Sequence, residues 1–259
     1  MIKEFEALLE KRVPRGRPVL VACAIWPLAR ALRQPPDHVA ERLIDALIAH
    51  VGPDGHVVMP TLVRGYREGF CDLDAESATT GMMTEIFRRR PGVRRSRCVF
   101  SSYAIAGRGS AEFALLRPKE VWGEGSHLEW VEKGDGYCLM IGTHPTHSIY
   151  LHRMELLAAD VIPYRYRKTI AGRVKHEGEL HDISETLFVR VLEPEVQQDF
   201  TRLLPALVEN GMHLDKLHDT PIATMSTAAM RQTVVPILRR DPLAVIANRQ
   251  DFEGMKARS

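Results

Sequence analysis

The sequence predicts an α/β fold: a single domain with a mixed β-sheet flanked by helices, and an antiparallel C-terminal part. Three observations carry that expectation. "PVLVACAI" (18–25) is a continuous apolar run rich in branched residues, which suits a strand covered on both faces. Val39, Leu43, Ile44, Leu47, Ile48 and Val51 then mark one helix face after the start signal "PPD", and "GPDG" (52–55) turns the chain into a second apolar run, "HVVMPTL". A strand, a long helical connection and a second strand argue for a parallel pair. Beyond residue 160, "VIPYRYRKTIAGRVKHEGELHDISETLFVRVL" alternates between turn residues and reads as antiparallel strands or hairpins.

The remaining elements follow in order. Ile2, Phe5, Leu8 and Leu9 recur at helical spacing and predict an opening amphipathic helix. Residues 64–79 are polar without a period and read as a long surface loop, a kind of segment that is often functional. The pattern then predicts a helix over 80–90, a strand over 97–106, a short helix over 110–116, a strand over 137–142 and a helix over 148–159. Two more helices are expected over 194–210 and 226–240. With no repeat, low-complexity tract or linker, the 259 residues read as one domain, 1–259.

Composition narrows the partners. The chain has 35 basic and 33 acidic residues, a net charge of +2, so no whole-protein field draws it to nucleic acid or to a membrane. Any anion recognition must be local. Cys23, Cys71, Cys98 and Cys138 are scattered without a C-x-x-C pair, which suits reduced thiols in the cytoplasm. "MIKEFEALLEKRV" is charged throughout and lacks the apolar stretch of a secretory signal. The longest apolar run, "VLVACAIWPLA", falls short of the roughly 18 residues that a membrane span needs. The expectation is a soluble cytoplasmic protein, monomer or homodimer.

The chemistry concentrates in "GTHPTHSIYLHRMELLA" (142–158), which holds His144, His147 and His152. Zinc would want three or four ligands including a carboxylate or thiolate, and no HExxH pattern or cysteine partner is present, so no metal is expected. His152 falls in the first turns of a helix after a strand end, where ligands of α/β sheets bind, and a neutral imidazole there can take a proton. Glu155 lies three residues on, on the same helical face, placed to orient it. The competing reading is a packed histidine bonded to backbone. Elsewhere, "RRRPGVRRSR" (88–97) holds six arginines, either an anion-binding cluster or a solvated helix end and turn. Ser101 and Ser102 end or interrupt a strand, as hydrogen-bond donors or plain caps. Cys98 sits in what reads as a buried strand, where cysteine behaves as a small hydrophobe. Gly125 in "WGEGSH" (122–127) lets backbone approach a ligand or only turns the chain. Glu124, Glu129, Asp72 and Asp74 could attract a cationic amine, or be solvated.

Three stretches in order, "LIDALIAHVGPDGHVVMPT" (43–61), "MTEIFRRRPGVRRS" (83–96) and "LMIGTHPTHSIYLHRMELLA" (139–158), together resemble the aminoglycoside 3-N-acetyltransferase family. That family shows "VGPEGTLVMPT", "FRRRPGVRRS" and a loop ending in "LHLAE"; "WGEGSHLEWV" (122–131) is also similar to its "FGPGSPLDRL". The resemblance runs from about residue 16 to 158. It implies an N-acyltransferase moving an acetyl group from acetyl-CoA to a primary amine of an amino sugar or aminoglycoside-like acceptor. His152 is then the general base and Glu155 its partner. The cofactor contacts it implies lie at Ala22, Cys23, Ser101, Ser102, Gly125 and Ser126, with Arg94 and Arg95 on the coenzyme phosphates and Ser102 or backbone N–H groups on the oxyanion. The chain departs from the pattern at two places. "VACAI" (21–25) stands for the family's "VHSSL", and "RSRCVFSSYAIAG" (95–107) for "RSLHPTHSFAALG", so that two family histidines become Cys98 and Ser101. Those departures leave two alternatives: a donor that is a larger acyl-CoA or an acyl carrier protein, whose acidic surface would meet the arginine cluster, or a binding protein that kept the fold without the chemistry.

Overall fold

The computed structural model describes residues 1–257. Helix α1 (Ile2–Arg12) leads to β1 (Pro18–Cys23), α2 (Ile25–Leu32), α3 (Pro36–Val51), β2 (His56–Pro60) and β3 (Phe70–Asp72). There follow α4 (Met82–Arg88), β4 (Arg94–Arg95), β5 (Tyr103–Gly107), α5 (Ser110–Leu115), α6 (His127–Lys133), β6 (Tyr137–Ile141) and α7 (Tyr150–Leu157). The rest is β7 (Arg165–His176), β8 (Glu179–Arg190), α8 (Leu204–Glu209), β9 (His213–Leu217), β10 (Thr220–Ser226) and α9 (Thr227–Arg240).

Seven strands form the main sheet in the order β4-β5-β2-β1-β6-β10-β9. β1 runs parallel to β2 and to β6, while the outer pairs are antiparallel. The two-residue period of the strands divides the core into two layers. Val19 and Val21 of β1 and Leu139 and Ile141 of β6 face the helices α1 to α4. Leu20, Cys138 and Met140 face the opposite layer, which holds α7 and α9. Burial on both faces explains why the central strands read as unbroken apolar runs. A second sheet, β3-β7-β8, is built on a hairpin of two twelve-residue strands. Among the described residues no helix is long and apolar enough to cross a membrane.

Several expectations need correction. The apolar run from 18 ends as a strand at Cys23, because Ile25, Leu28 and Ala29 bury one face of α2 at helical spacing. The strand expected over 97–106 begins only at Tyr103, as β5, which pairs with β4 at Arg94↔Ile105 and Arg95↔Ala104, and residues 96–102 arch between the two. The arch is buried all the same, since Ser96, Cys98, Val99, Ser101 and Ser102 are sealed from solvent. Residues 64–79 are more than a loop, for β3 lies inside them and joins β7 in parallel. The helix expected over 194–210 shrinks to α8 after a short 3-10 turn, Phe200–Leu203. The strands β9 and β10 and the helix α6 lie where no element was expected.

Candidate active site

The strand ends of β1, β2 and β6 open onto a cavity of about 540 Å³. Its floor contains Ala22, Cys23 and Ala24, and Pro60 at the end of β2 and Leu62 just beyond it also line it. Gly142, with φ +65°, lets the chain leave β6 here, because a Cβ would overlap the Ala24 carbonyl oxygen. The turn after it carries Thr143, His147 and Ser148 along the cavity wall before α7 begins.

His152 stands in the first turn of α7, its side chain 29% exposed. Nδ1 lies 2.9 Å from Oε2 of Glu155. Glu155 is fully buried, and Tyr164 Oη (2.9 Å), Arg165 Nε (3.0 Å) and the Gln198 amide all donate to it. Burial alone would raise its pKa, yet the charge of Arg165 and the bonds from His152 and Arg165 hold the carboxyl below its usual range. An ionised Glu155 accepts the Nδ1 proton and leaves the imidazole lone pair on Nε2. The ring is held on both faces, stacked on Trp122 (centroids 5.0 Å, 22°) and edge-on to Phe200 at 5.4 Å. A second cavity of about 630 Å³ lies against the end of the hairpin and is lined by Arg165, Phe188, Arg190, Leu192 and Gln198. Trp122, His152 and Phe200 line both cavities, so the imidazole stands where the two meet.

Trp122 is placed from three directions. The segment before it adds to β8, with Val121 N–H donating to the Thr186 carbonyl and Thr186 N–H to that of Lys119. Its indole N–H donates to Ser101 Oγ at 3.0 Å. Buried Arg153 donates to the carbonyls of Trp122 (2.7 Å) and Gly123 (2.9 Å) while paired with Glu132 at 2.7 Å. His152 and Arg153 are neighbours in sequence, so one helical turn presents the imidazole and anchors the ring on which it stacks.

Of the residues expected near a cofactor, Ala22 and Cys23 do line the first cavity, and burial pushes the Cys23 thiol up to about 12. The others lie elsewhere. Ser101 is bonded to Tyr103 and Trp122, and Ser102 to Thr61 (2.7 Å) and Arg95 (3.1 Å), both in the buried arch and absent from either cavity wall. Gly125 and Ser126 form the start of α6, where Ser126 Oγ accepts from Glu129 N–H and Gly125 N–H donates to Glu129. Arg95 is buried, and its guanidinium donates to the carbonyls of Thr61, Leu73 and Glu76, with burial lowering its pKa to about 10. Arg94 is exposed and paired with Glu177. Arg88 and Arg89 pair with Glu85, and Arg90 with Glu41 and Asp45, so with Arg94 four of the six arginines are tied to the protein's own carboxylates, while Arg97 meets His181.

The acids considered for a cationic acceptor are also placed elsewhere. Glu129 caps α6 and pairs with Lys133 and Arg153, Asp72 pairs with Lys175, and Asp74 accepts from the N–H groups of Glu177 and Gly178. Glu124 lines neither cavity. His144 and His147 bond to Thr146 and Thr143, each at 2.8 Å, and only His147 lines a cavity. Cys98 meets His127, Sγ to Nδ1 4.0 Å, in apolar surroundings that push the thiol pKa up and the imidazole down to about 3. That pair is a piece of core.

Sequence reasoning passed over Trp122, Arg153, Arg165, Gln198 and Phe200. Trp122 stood in a stretch read only for its glycines, and Arg153 inside "LHRME"; the other three carry no local signal, because they reach the site from the hairpin and the segment after it.

The sequence model of the aminoglycoside 3-N-acetyltransferase family matches residues 34–239. No curated protein matches the sequence. Among solved structures, the fold is similar to AAC-IIIb in binary complex with CoASH, at 20% identity, 93% of this chain and 96% of that one, TM-score 0.74. It is also similar to AAC-VIa bound to sisomicin, at 20% identity, 92% and 97% coverage, TM-score 0.76. A third is the aminoglycoside acetyltransferase AAC(3)-IVa apoenzyme, at 21% identity, 99% and 94% coverage, TM-score 0.71. At these identities the structures show the shared fold.

Proposed function

The chain belongs to the aminoglycoside 3-N-acetyltransferase family, and on that premise we propose that it transfers an acetyl group from acetyl-CoA to a primary amine of an amino sugar or aminoglycoside-like acceptor, with His152 as general base. The observation that carries this reading is the position of His152 at the meeting of two cavities, backed by an ionised Glu155.

The first cavity suits the pantetheine arm of the donor, a neutral chain whose methylenes match Ala22, Ala24, Leu62 and Ile149. The amine enters from the second cavity. Nε2 of His152 removes the proton from the nitrogen as it attacks the thioester carbonyl, and the imidazolium that results is stabilised by Glu155. The same proton then serves the departing coenzyme thiolate, so no covalent enzyme intermediate is required. Trp122 and Phe200 keep the ring from rotating away between the two proton transfers. Arg165 balances the charge of Glu155 in the resting site. The pairing of Arg88, Arg90 and Arg94 with the protein's own carboxylates favours coenzyme A over an acidic carrier protein as donor.

Calorimetry with acetyl-CoA and with free coenzyme A, on the wild type and on His152→Ala, tests the reading. Micromolar binding by both proteins, with thiol release on adding an amine only for the wild type, is the expected result. Absence of binding by either protein overturns it.

A further inference from the structure

The walls of the second cavity define what kind of amine they can hold. An acceptor carrying several ammonium groups needs carboxylates facing it, because desolvated cations are stable only when paired. Among the described residues, neither cavity wall contains an Asp or a Glu. Glu155 lies behind His152, sealed from solvent and saturated by its donors. Asp199, next to Phe200, accepts from Thr201 and faces Arg202. What the second cavity does present is a pair of guanidiniums, Arg165 and Arg190.

Their pairing is a second, independent observation. The hairpin register sets Arg165 directly opposite Arg190, on one face of the sheet. Like charges directly opposite on neighbouring strands destabilise the pair. Glu155 compensates Arg165, at 2.9 Å from its Nη2. Arg190 has no carboxylate within ion-pair distance among the described residues, and it is exposed on the cavity side. An anion in the cavity would supply the missing partner.

Resting on the acetyl-transfer reading above, we propose that the second cavity receives an amine that also bears an anionic group, a carboxylate or a phosphate, and that Arg190 is the residue that holds it. The guanidinium fork matches either anion bidentately. The anion at Arg190 sets the distance at which the amine meets Nε2 of His152.

The test uses calorimetry and steady-state kinetics with four probes: glucosamine, glucosamine 6-phosphate, glucosaminuronic acid and sisomicin, each in the presence of coenzyme A for binding and acetyl-CoA for turnover. Glucosamine 6-phosphate or glucosaminuronic acid should bind about 10- to 100-fold more tightly than glucosamine, and the better of the two identifies the anion as phosphate or carboxylate. Arg190→Gln should abolish that advantage and raise the KM of the anionic acceptor about 10- to 100-fold more than that of glucosamine, with the KM of acetyl-CoA unchanged. Equal binding of the charged and neutral sugars, tighter binding of sisomicin, or a rise in the acetyl-CoA KM in Arg190→Gln overturns the proposal; the last would show that Arg190 contacts the donor's phosphates. Failure of the acetyl-transfer reading itself is seen separately, as absence of coenzyme A binding to the wild type.

Discussion

His152 and His127 are two largely enclosed imidazoles, each packed among aromatic rings, yet only one has a carboxylate partner and an open side. His152 has a buried carboxylate at 2.9 Å on Nδ1 and cavities on its open side. His127 has ring contacts to Tyr103 (5.3 Å) and Phe113 (4.7 Å), a thiol at 4.0 Å, and an Nε2 without a hydrogen-bond partner among the described residues. Burial without a charge partner holds it neutral, with a pKa near 3. The pair teaches that proximity to another reactive group does not make a histidine catalytic. The base role proposed for His152 needs a compensating charge and access to a reactant, and His127 has neither.

The largest expected effect breaks the first member of the pair. His152→Ala should lower kcat by roughly 10²- to 10⁴-fold with the melting temperature nearly unchanged, because the ring is at a cavity edge. A variant with wild-type turnover would remove the assignment. Next, Glu155→Ala strands Arg165 in a buried site and should cost about 3–5 kcal/mol of stability in urea unfolding. Glu155→Gln keeps the volume but turns an amide N–H toward Nδ1; kcat should fall about 10²-fold by favouring the wrong tautomer. Full activity in Glu155→Gln would mean that the carboxylate serves folding only.

The second member is tested through pH. The folded state holds His127 at a pKa of about 3, below the ordinary value of 6.5, so the unfolded chain binds the proton first as pH falls. The stability linked to this group is therefore complete above pH 6.5 and is lost on the way down to pH 3. Between pH 7 and pH 5 the wild type should lose about 2 kcal/mol that His127→Leu retains, measured as the difference in urea midpoints. Identical losses in both proteins would show that His127 does not titrate in this way. The smallest effect is at Ser102. Its bonds to Thr61 and Arg95 predict a loss of about 1 kcal/mol in Ser102→Ala, with kcat within about threefold of wild type. A drop of two orders of magnitude in kcat would instead restore it as an oxyanion donor.

Local pattern was a good guide where the chain repeats its own periodicity. β1, α3 and β2 stand close to where the apolar spacing put them, since each buries residues that its own sequence marks, and the β7–β8 hairpin stands where the alternation with turn residues put it. The arch over 96–102 misled because buried apolar residues suit an arch as well as a strand. What keeps it from pairing is Glu185 of β8, which accepts from the N–H groups of Val99 and Phe100, together with Arg95 beneath it. No local rule points from residue 99 to residue 185.

The site divides in the same way. That His152 and Glu155 share a helical face after a strand end follows from the chain alone, because the spacing of three residues is a property of one helix. The sequence also determined the α/β class, because the apolar runs are covalent facts that only buried strands and amphipathic helices satisfy. Only in three dimensions do Trp122, Arg165 and Phe200 surround the imidazole, do Arg95 and Ser102 join the core, and does Arg190 face a cavity with no carboxylate among the described residues that line it. Side-chain partners far apart in the chain are fixed by which hydrogen bonds remain to be satisfied once the sheets have formed, and that accounting exists only in three dimensions.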